Sequence, residues 1–202
     1  VLFTDDFAGD AENWTDREPG QEMTVSYEGV FGNAGGSMQG DFDQDVFTPE
    51  TDAFELTTLP VAADLPQGGT YDLTSFTFQF YADNIVPSDL ILRFGNGSFT
   101  FFRGFTVSGI DSWLSFTAPL TSVSGWFGGT QGNFDSVLAN TTFIELQVTR
   151  NGSDAQTFYF DNFTLNGELD GGGGGPSAVP EPNTVNLLGF VALMGLALRR
   201  FR

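Results

Sequence analysis

The sequence predicts an all-β fold: a two-sheet antiparallel β-sandwich of jelly-roll type, then a flexible glycine linker and a short C-terminal hydrophobic helix. Three observations lead there. Phenylalanine is the main core former, with 23 of 202 residues, and it sits in short apolar runs divided by Gly, Asn, Asp and Pro turns. Those runs alternate with period two, and little helical periodicity is visible before the tail. About 165 residues ahead of the linker are enough for two sheets to share a substantial core.

The elements follow in order. Val1 to Phe7 reads as a strand, and Gly9-Asp10 turns the chain toward Asn13-Trp14-Thr15. Met23 to Phe31 alternates, with Met23, Val25 and Tyr27 on one face, and the turn Gly32-Asn33-Ala34-Gly35-Gly36 returns it into Ser37 to Phe42. Ala53 to Leu59 is a strand closed by Pro60. Leu73 to Tyr81 is the clearest one, with Phe76, Phe78 and Phe80 facing one way and Thr77 and Gln79 the other. Leu90 to Phe94 and Phe99 to Phe102 form a hairpin around Gly95-Asn96-Gly97. Phe105 to Val107 and Trp113 to Phe116 add short strands, and Asn133 to Ala139 is the one helical turn. Phe143 to Thr149 points Ile144, Leu146 and Val148 inward, and Thr157 to Leu165 is the last strand.

Charge separates the domain from its tail. Residues 1–179 hold 4 Arg against 25 Asp and Glu, a net of −21, while the tail is near +2. An acidic domain of this kind repels phosphate backbones, which excludes nucleic acid as a partner. The absence of Cys, His and Lys removes thiol and Ser-His-Asp nucleophiles, imidazole-held metals and Schiff-base chemistry. Carboxylate pairs, tyrosine or an oxygen-held metal are what remain, so a non-enzymatic role is expected. Asp41-Phe42-Asp43-Gln44-Asp45 does not make an EF-hand loop, because Val46 stands where that loop needs Gly and Asp52 where it needs Glu. It is expected to be a solvated edge.

Five glycines after Asp170 make residues 170–179 a linker between the 1–169 domain and a tail over 180–202. The tail reads Pro180-Glu181-Pro182, then an apolar run including Leu187, Leu188, Phe190, Val191, Leu193, Leu196 and Leu198, then Arg199, Arg200 and Arg202. From Asn183 to Leu198 a helix spans about 24 Å, short of the roughly 30 Å hydrocarbon core, which suits a transient anchor. This order resembles the PEP-CTERM sorting signal of Gram-negative bacteria. The resemblance implies export, transient residence in the inner membrane, processing by an exosortase-type enzyme, and a final place at the cell surface or outside the cell. The chain opens without Met, basic n-region or apolar leader, so a processed exported domain is expected.

The domain itself is similar to jelly-roll domains of PEP-CTERM proteins and, more loosely, to carbohydrate-binding and laminin-G-like sandwiches. The residues carrying the likeness are Thr4-Asp5-Asp6-Phe7 with Trp14, the glycine turn at 32–36, and Tyr159 to Leu165. The resemblance implies first and last strands that meet, with a structural Ca²⁺ near their junction. The residues themselves point the same way. Tyr159, Asp161, Phe163 and Leu165 are expected to share one face, placing Asp161 in an apolar stripe where a carboxylate needs a cation or several hydrogen bonds. Asp5 or Asp6 would supply a second carboxylate. Trp126, set among glycines, is the better candidate platform for a sugar ring, and Trp113 the other. The expected function is adhesion or exopolysaccharide association in a biofilm matrix. A self-associating extracellular filament subunit is the alternative, and a glycan-active enzyme the lesser one.

Overall fold

Alternating apolar residues organise eleven strands into two antiparallel sheets among the described residues. The structure is a computed structural model describing residues 2–11, 14–17, 23–32, 35–44, 50–56 and 71–169. The strands are β1 (Phe3–Asp5), β2 (Trp14–Asp16), β3 (Met23–Glu28), β4 (Ser37–Phe42), β5 (Thr51–Leu56) and β6 (Tyr71–Ala82). After these come β7 (Asp89–Gly95), β8 (Thr100–Phe105), β9 (Leu114–Pro119), helix α1 (Gln131–Leu138), β10 (Phe143–Thr149) and β11 (Gln156–Leu169). One sheet runs β3-β4-β11-β6-β9, with β1 also paired to β11; the other runs β2-β5-β10-β7-β8. The folded unit is Val1–Leu169. The linker, the Pro180-Glu181-Pro182 motif, the apolar run and the arginine cluster lie outside the described residues, as do residues 57–70.

The two inner faces meet in an aromatic core. Phe160 lies near its centre, 4.7 Å from the Trp14 ring, 5.7 Å from Phe54 and 6.1 Å from Phe78, centroid to centroid. Most of these contacts are tilted or edge-on, the arrangements the ring quadrupole favours. Phe76, Phe78 and Phe80 all point inward, as their alternation predicts, and so do Ile144, Leu146 and Val148. Thr130 caps α1, its side chain accepting from the Asn133 amide while the Asn133 side chain accepts from the Thr130 amide. The helix buries Phe134 and Val137, and the Phe134 ring packs edge-on against Phe94 and Phe101.

The last strand departs from simple alternation. Between Asp161 and Thr164 the register against β6 slips by one residue, and Asn162 takes a left-handed φ of 52°. Tyr159 therefore faces outward while Phe163 and Leu165 turn into the core, which corrects the expectation that Tyr159, Asp161, Phe163 and Leu165 share one face. The bulge also divides the strand's second side: Gln156 to Phe160 pair with β4, and Phe163 to Leu165 pair with β1. Asp41 differs from expectation as well. It belongs to β4, an interior strand, and its carboxylate accepts hydrogen bonds from Thr157 and Gln39.

One carboxylate ties the sheets together at an edge. Asp52 on β5 is 1 % exposed and accepts from the Met23 amide at the start of β3 and from the Ala53 amide. Burial, reinforced by the nearby Asp16 charge, raises its pKa from 3.8 to about 6, against the pull of those two amides. A raised carboxyl pKa means the native state favours the protonated form. Stability from this residue is thus full below 3.8 and is lost as pH rises through about 6, a swing of up to about 3 kcal/mol. Asp52→Asn removes the titration: its melting temperature relative to wild type is expected to rise between pH 4 and pH 7. A difference that stays constant over that range would show that Asp52 does not titrate differently on folding.

Candidate functional site

Outward-facing positions of the five-stranded sheet form continuous rows, because each strand is in antiparallel register with the next. One row runs Thr15, Glu55, Glu145, Arg93 and Phe102 across β2, β5, β10, β7 and β8. An isolated bridge extends it to Phe127. With strands about 4.8 Å apart, six positions span roughly 24 Å. The neighbouring row is Ala53, Gln147, Ile91 and Gly104, small or uncharged throughout. Ile91, Arg93, Thr100, Phe102 and Gln147 line a shallow hollow of about 310 Å³.

Glycine chemistry places the aromatic end of this row. Gly128 has φ 135°, and a Cβ there would sit 2.1 Å from the Thr100 carbonyl oxygen, so only glycine lets the loop press against β8. The contact is a reciprocal backbone pair: the Phe102 amide donates to the Phe127 carbonyl, and the Phe127 amide to the Phe102 carbonyl, both at 2.9 Å. The two rings stack at 5.4 Å with planes 19° apart, yet remain 40 % and 65 % exposed. Rings fixed in this way lose little further entropy on binding a flat ligand.

The centre of the row is charged but balanced. Arg93 Nη1 lies 2.6 Å from Glu145 Oε2, and Arg17 Nη1 lies 3.8 Å from the same oxygen. Glu145 is almost buried, so its two guanidinium partners offset a desolvation that an isolated carboxylate would not tolerate. Glu55 beside it has a raised pKa, first through burial and then through the Glu145 charge, opposed by Arg17 and Arg93. Two of the domain's four arginines are therefore spent on one face, which carries no net excess from these four groups.

Trp126, expected as the exposed platform, is 6 % exposed and its Nε1 donates to the Pro119 carbonyl at 2.7 Å. Its ring packs edge-on against Phe94 at 5.0 Å. The indole belongs to the core, and Phe127, the next residue, is the exposed one. Trp113 is half-buried on the outer face of the other sheet. The sequence reading missed Phe102, Phe127, Arg93 and Glu145. Their signal was present in the alternation of β10, where Glu145 and Gln147 stand between inward residues, and in the scarcity of arginine.

The first and last strands meet as the resemblance implies, and Asp5 and Asp161 are both buried there, at 4 % and 0 % exposure. Asp5 Oδ2 accepts from Trp14 Nε1 at 2.7 Å, and Asp161 Oδ1 accepts from the Asn162 amide at 2.6 Å. Two loop glycines complete this corner. A Cβ on Gly32 would lie 1.9 Å from the Gly36 carbonyl oxygen and 3.1 Å from Asp161 Oδ2, and one on Gly36 would lie 2.0 Å from the Phe7 carbonyl oxygen. Asp161 Oδ2 and the Gly36 carbonyl oxygen thus border the space over Gly32, with the Phe7 carbonyl oxygen beside Gly36, oxygen donors of the type a hard cation takes. Asp6 is half-buried, and its Oδ1 accepts from the Ala8 amide. Among the described residues no group of three acidic, His or Cys side chains could hold a metal, so carbonyl oxygens would have to contribute.

No family model and no curated protein matches this chain. Solved structures with a similar fold include the family 11 carbohydrate-binding module from Clostridium thermocellum in complex with a β-1,3-1,4-mixed-linked tetrasaccharide. It has a TM-score of 0.51 at 17 % identity, covering 84 % of this chain and 98 % of that one. The family 11 module of the cellulosomal cellulase Lic26A-Cel5E gives 0.52 at 15 % identity, over 84 % and 98 %. An exo-β-agarase gives 0.56 at 14 % identity, over 81 % of this chain and 25 % of that one. At these identities the likeness is one of fold: a two-sheet sandwich of the kind carbohydrate-binding modules have.

Proposed function

We propose that the sandwich is a non-catalytic glycan-binding domain that works outside the cell, attaching its bearer to surface or matrix polysaccharide. The observation that carries this reading is the stacked, exposed Phe102–Phe127 pair beside the hollow, at the end of a row in which two arginines balance two glutamates. Sugar rings present flat C–H faces that pack on aromatic rings, while Gln147, Arg93 and Thr100 offer polar groups that orient hydroxyls. Glu145 is committed to Arg93, so it serves to hold that guanidinium in the row rather than to shuttle protons. Fold likeness to a module solved with a mixed-linked tetrasaccharide supports the same class of ligand.

Two further parts of the reading rest on the sequence and the corner geometry. The Pro180-Glu181-Pro182 tail motif supports sorting by an exosortase-type enzyme to the cell surface or matrix of a Gram-negative bacterium. A structural Ca²⁺ at Asp5 and Asp161 would fasten β1 to the bulged strand, with the Phe7 and Gly36 carbonyl oxygens completing its shell.

The binding claim is checked by affinity electrophoresis in gels containing mixed-linked β-1,3-1,4-glucan or agarose. Retardation of the wild type, weakened roughly tenfold or more in the Phe102→Ala/Phe127→Ala variant with its melting temperature kept, is the expected result. Retention at wild-type strength by that variant, or release of reducing ends from the polysaccharide, would overturn the reading. For the cation, melting temperatures are compared in excess CaCl₂ and in chelator. At a hundredfold excess over Kd the bound ion adds about 2.7 kcal/mol, a shift of several degrees for a domain this size. Asp161→Asn is expected to abolish the difference, and an unchanged melting temperature in chelator for the wild type would refute the site.

A further inference from the structure

The outer face of the six-stranded sheet, on the opposite side of the sandwich, combines two features. The first is an aromatic band. Tyr159 and Tyr81 are directly opposed across β11 and β6, with ring centroids 5.8 Å apart. Trp113 adjoins Tyr81 at 5.5 Å, and Phe31 from the β3–β4 turn lies 4.4 Å from Tyr159 and 5.7 Å from Trp113. All four are half-buried, so their rings remain partly open to solvent. The second is a stretch without exposed charge. Thr4, Thr164, Thr77 and Thr117 form one row across β1, β11, β6 and β9, with Ser75 opposite Asn166 on one side and Gln79 between Ser115 and the fully buried Asp161 on the other.

The aromatic band lies outside the main core, whose inward positions on these strands are taken by Phe76, Phe78, Phe80, Phe158, Phe160 and Phe163 among others. In a chain with 26 acidic residues, a central sheet surface that exposes hydroxyls and amides, with Asp161 fully buried, is a departure from its surroundings. Acids return at one border of the band: Asp83 and Asp111 raise the Tyr81 pKa after burial, and Asp83, Asp41 and Glu28 raise that of Tyr159. That border repels uronic acids, sulfated sugars and nucleic acid. The domain's four arginines lie elsewhere, Arg17 and Arg93 on the other sheet, Arg150 buried against Glu50, and Arg103 beside Ser124.

We propose that this face is a second saccharide surface that takes an uncharged polysaccharide chain, its rings on Tyr81, Tyr159 and Trp113 and its hydroxyls on the Thr/Ser/Asn rows. With the Phe102–Phe127 face on the opposite side, one domain then joins two polysaccharide chains. The domain becomes a cross-linker of matrix rather than a monovalent adhesin, and two weak contacts act with the avidity of a linked pair. The proposal rests on its own observations, although the cross-linking consequence requires both faces.

The test uses the full chain with soluble mixed-linked β-glucan, xylan and agarose, and alginate as the anionic control. In the Phe102→Ala/Phe127→Ala background, residual retention on an uncharged polymer is expected, falling a further tenfold or so with Trp113→Ala or with Thr117→Glu. Thr117 is exposed on an edge strand, so Thr117→Glu leaves the core intact even if Trp113→Ala unsettles the band. Wild type is expected to raise the turbidity of the polymer solution, and either single-face variant is not. Loss of all retention in the Phe102→Ala/Phe127→Ala variant, or indifference to both Trp113→Ala and Thr117→Glu, overturns the second surface. So does a sedimenting dimer that Thr117→Glu splits, because a second copy would then cover the face. If instead Phe102→Ala/Phe127→Ala binds as wild type while Trp113→Ala abolishes binding, the first face fails and this one stands.

Discussion

The extra residue that β11 carries at its bulge is the constraint on which the other features depend. With Asn162 in the left-handed region, the strand can point Phe160 and then Phe163 into the same core. Both rings pack on Trp14, and through it the five-stranded sheet is fastened to the six-stranded one. The same slip ends pairing with β4 and begins pairing with β1. Asp161 is left at the seam, buried beneath a turn that only glycines at 32 and 36 allow to close. A regular strand would have kept Tyr159, Asp161 and Phe163 on one side. It would then have exposed Phe163 or buried Tyr159, and β1 would have no place to add.

A core made this way turns polar rows outward on both sheets among the described residues. On the five-stranded sheet the balance between Glu55, Glu145, Arg17 and Arg93 matters more than any one pair. Exposed ion pairs contribute little to stability, but here the acids sit in a domain with a strong negative excess, and the arginines cancel it locally. The result is a strip of oriented donors and acceptors along which these four charges cancel. At one end, Gly128 allows the loop to clamp onto β8, so that the stacked phenylalanines are presented by backbone hydrogen bonds rather than by a flexible loop tip.

Much of the fold was legible in the sequence because side-chain period reports directly on burial. Phe76, Phe78 and Phe80, and again Ile144, Leu146 and Val148, declare their faces by alternation, and Gly95-Asn96-Gly97 declares the hairpin. The bulge was not legible, since nothing in Asp161-Asn162-Phe163 distinguishes an inserted residue from a regular one without knowing the partner strands. β2 was noticed only as a tryptophan after a turn, because three residues show no period. At the candidate site the sequence pointed to Trp126, which is buried, and passed over its exposed neighbour Phe127. Adjacent residues of an extended segment point opposite ways, and whether Trp126 or Phe127 faces out depends on Phe94 and the Pro119 carbonyl, both distant in the chain. The Arg93–Glu145 pair was hidden for the same reason, since 52 residues separate the partners.

The central claim, that the outer face of the five-stranded sheet receives a glycan, is tested most directly by NMR on isotope-labelled protein titrated with a mixed-linked glucan tetrasaccharide. The account predicts saturable shifts of the Arg93, Phe102, Phe127, Glu145 and Gln147 amides and of the Arg93 guanidinium. Saturating ligand that leaves those signals unmoved would contradict it.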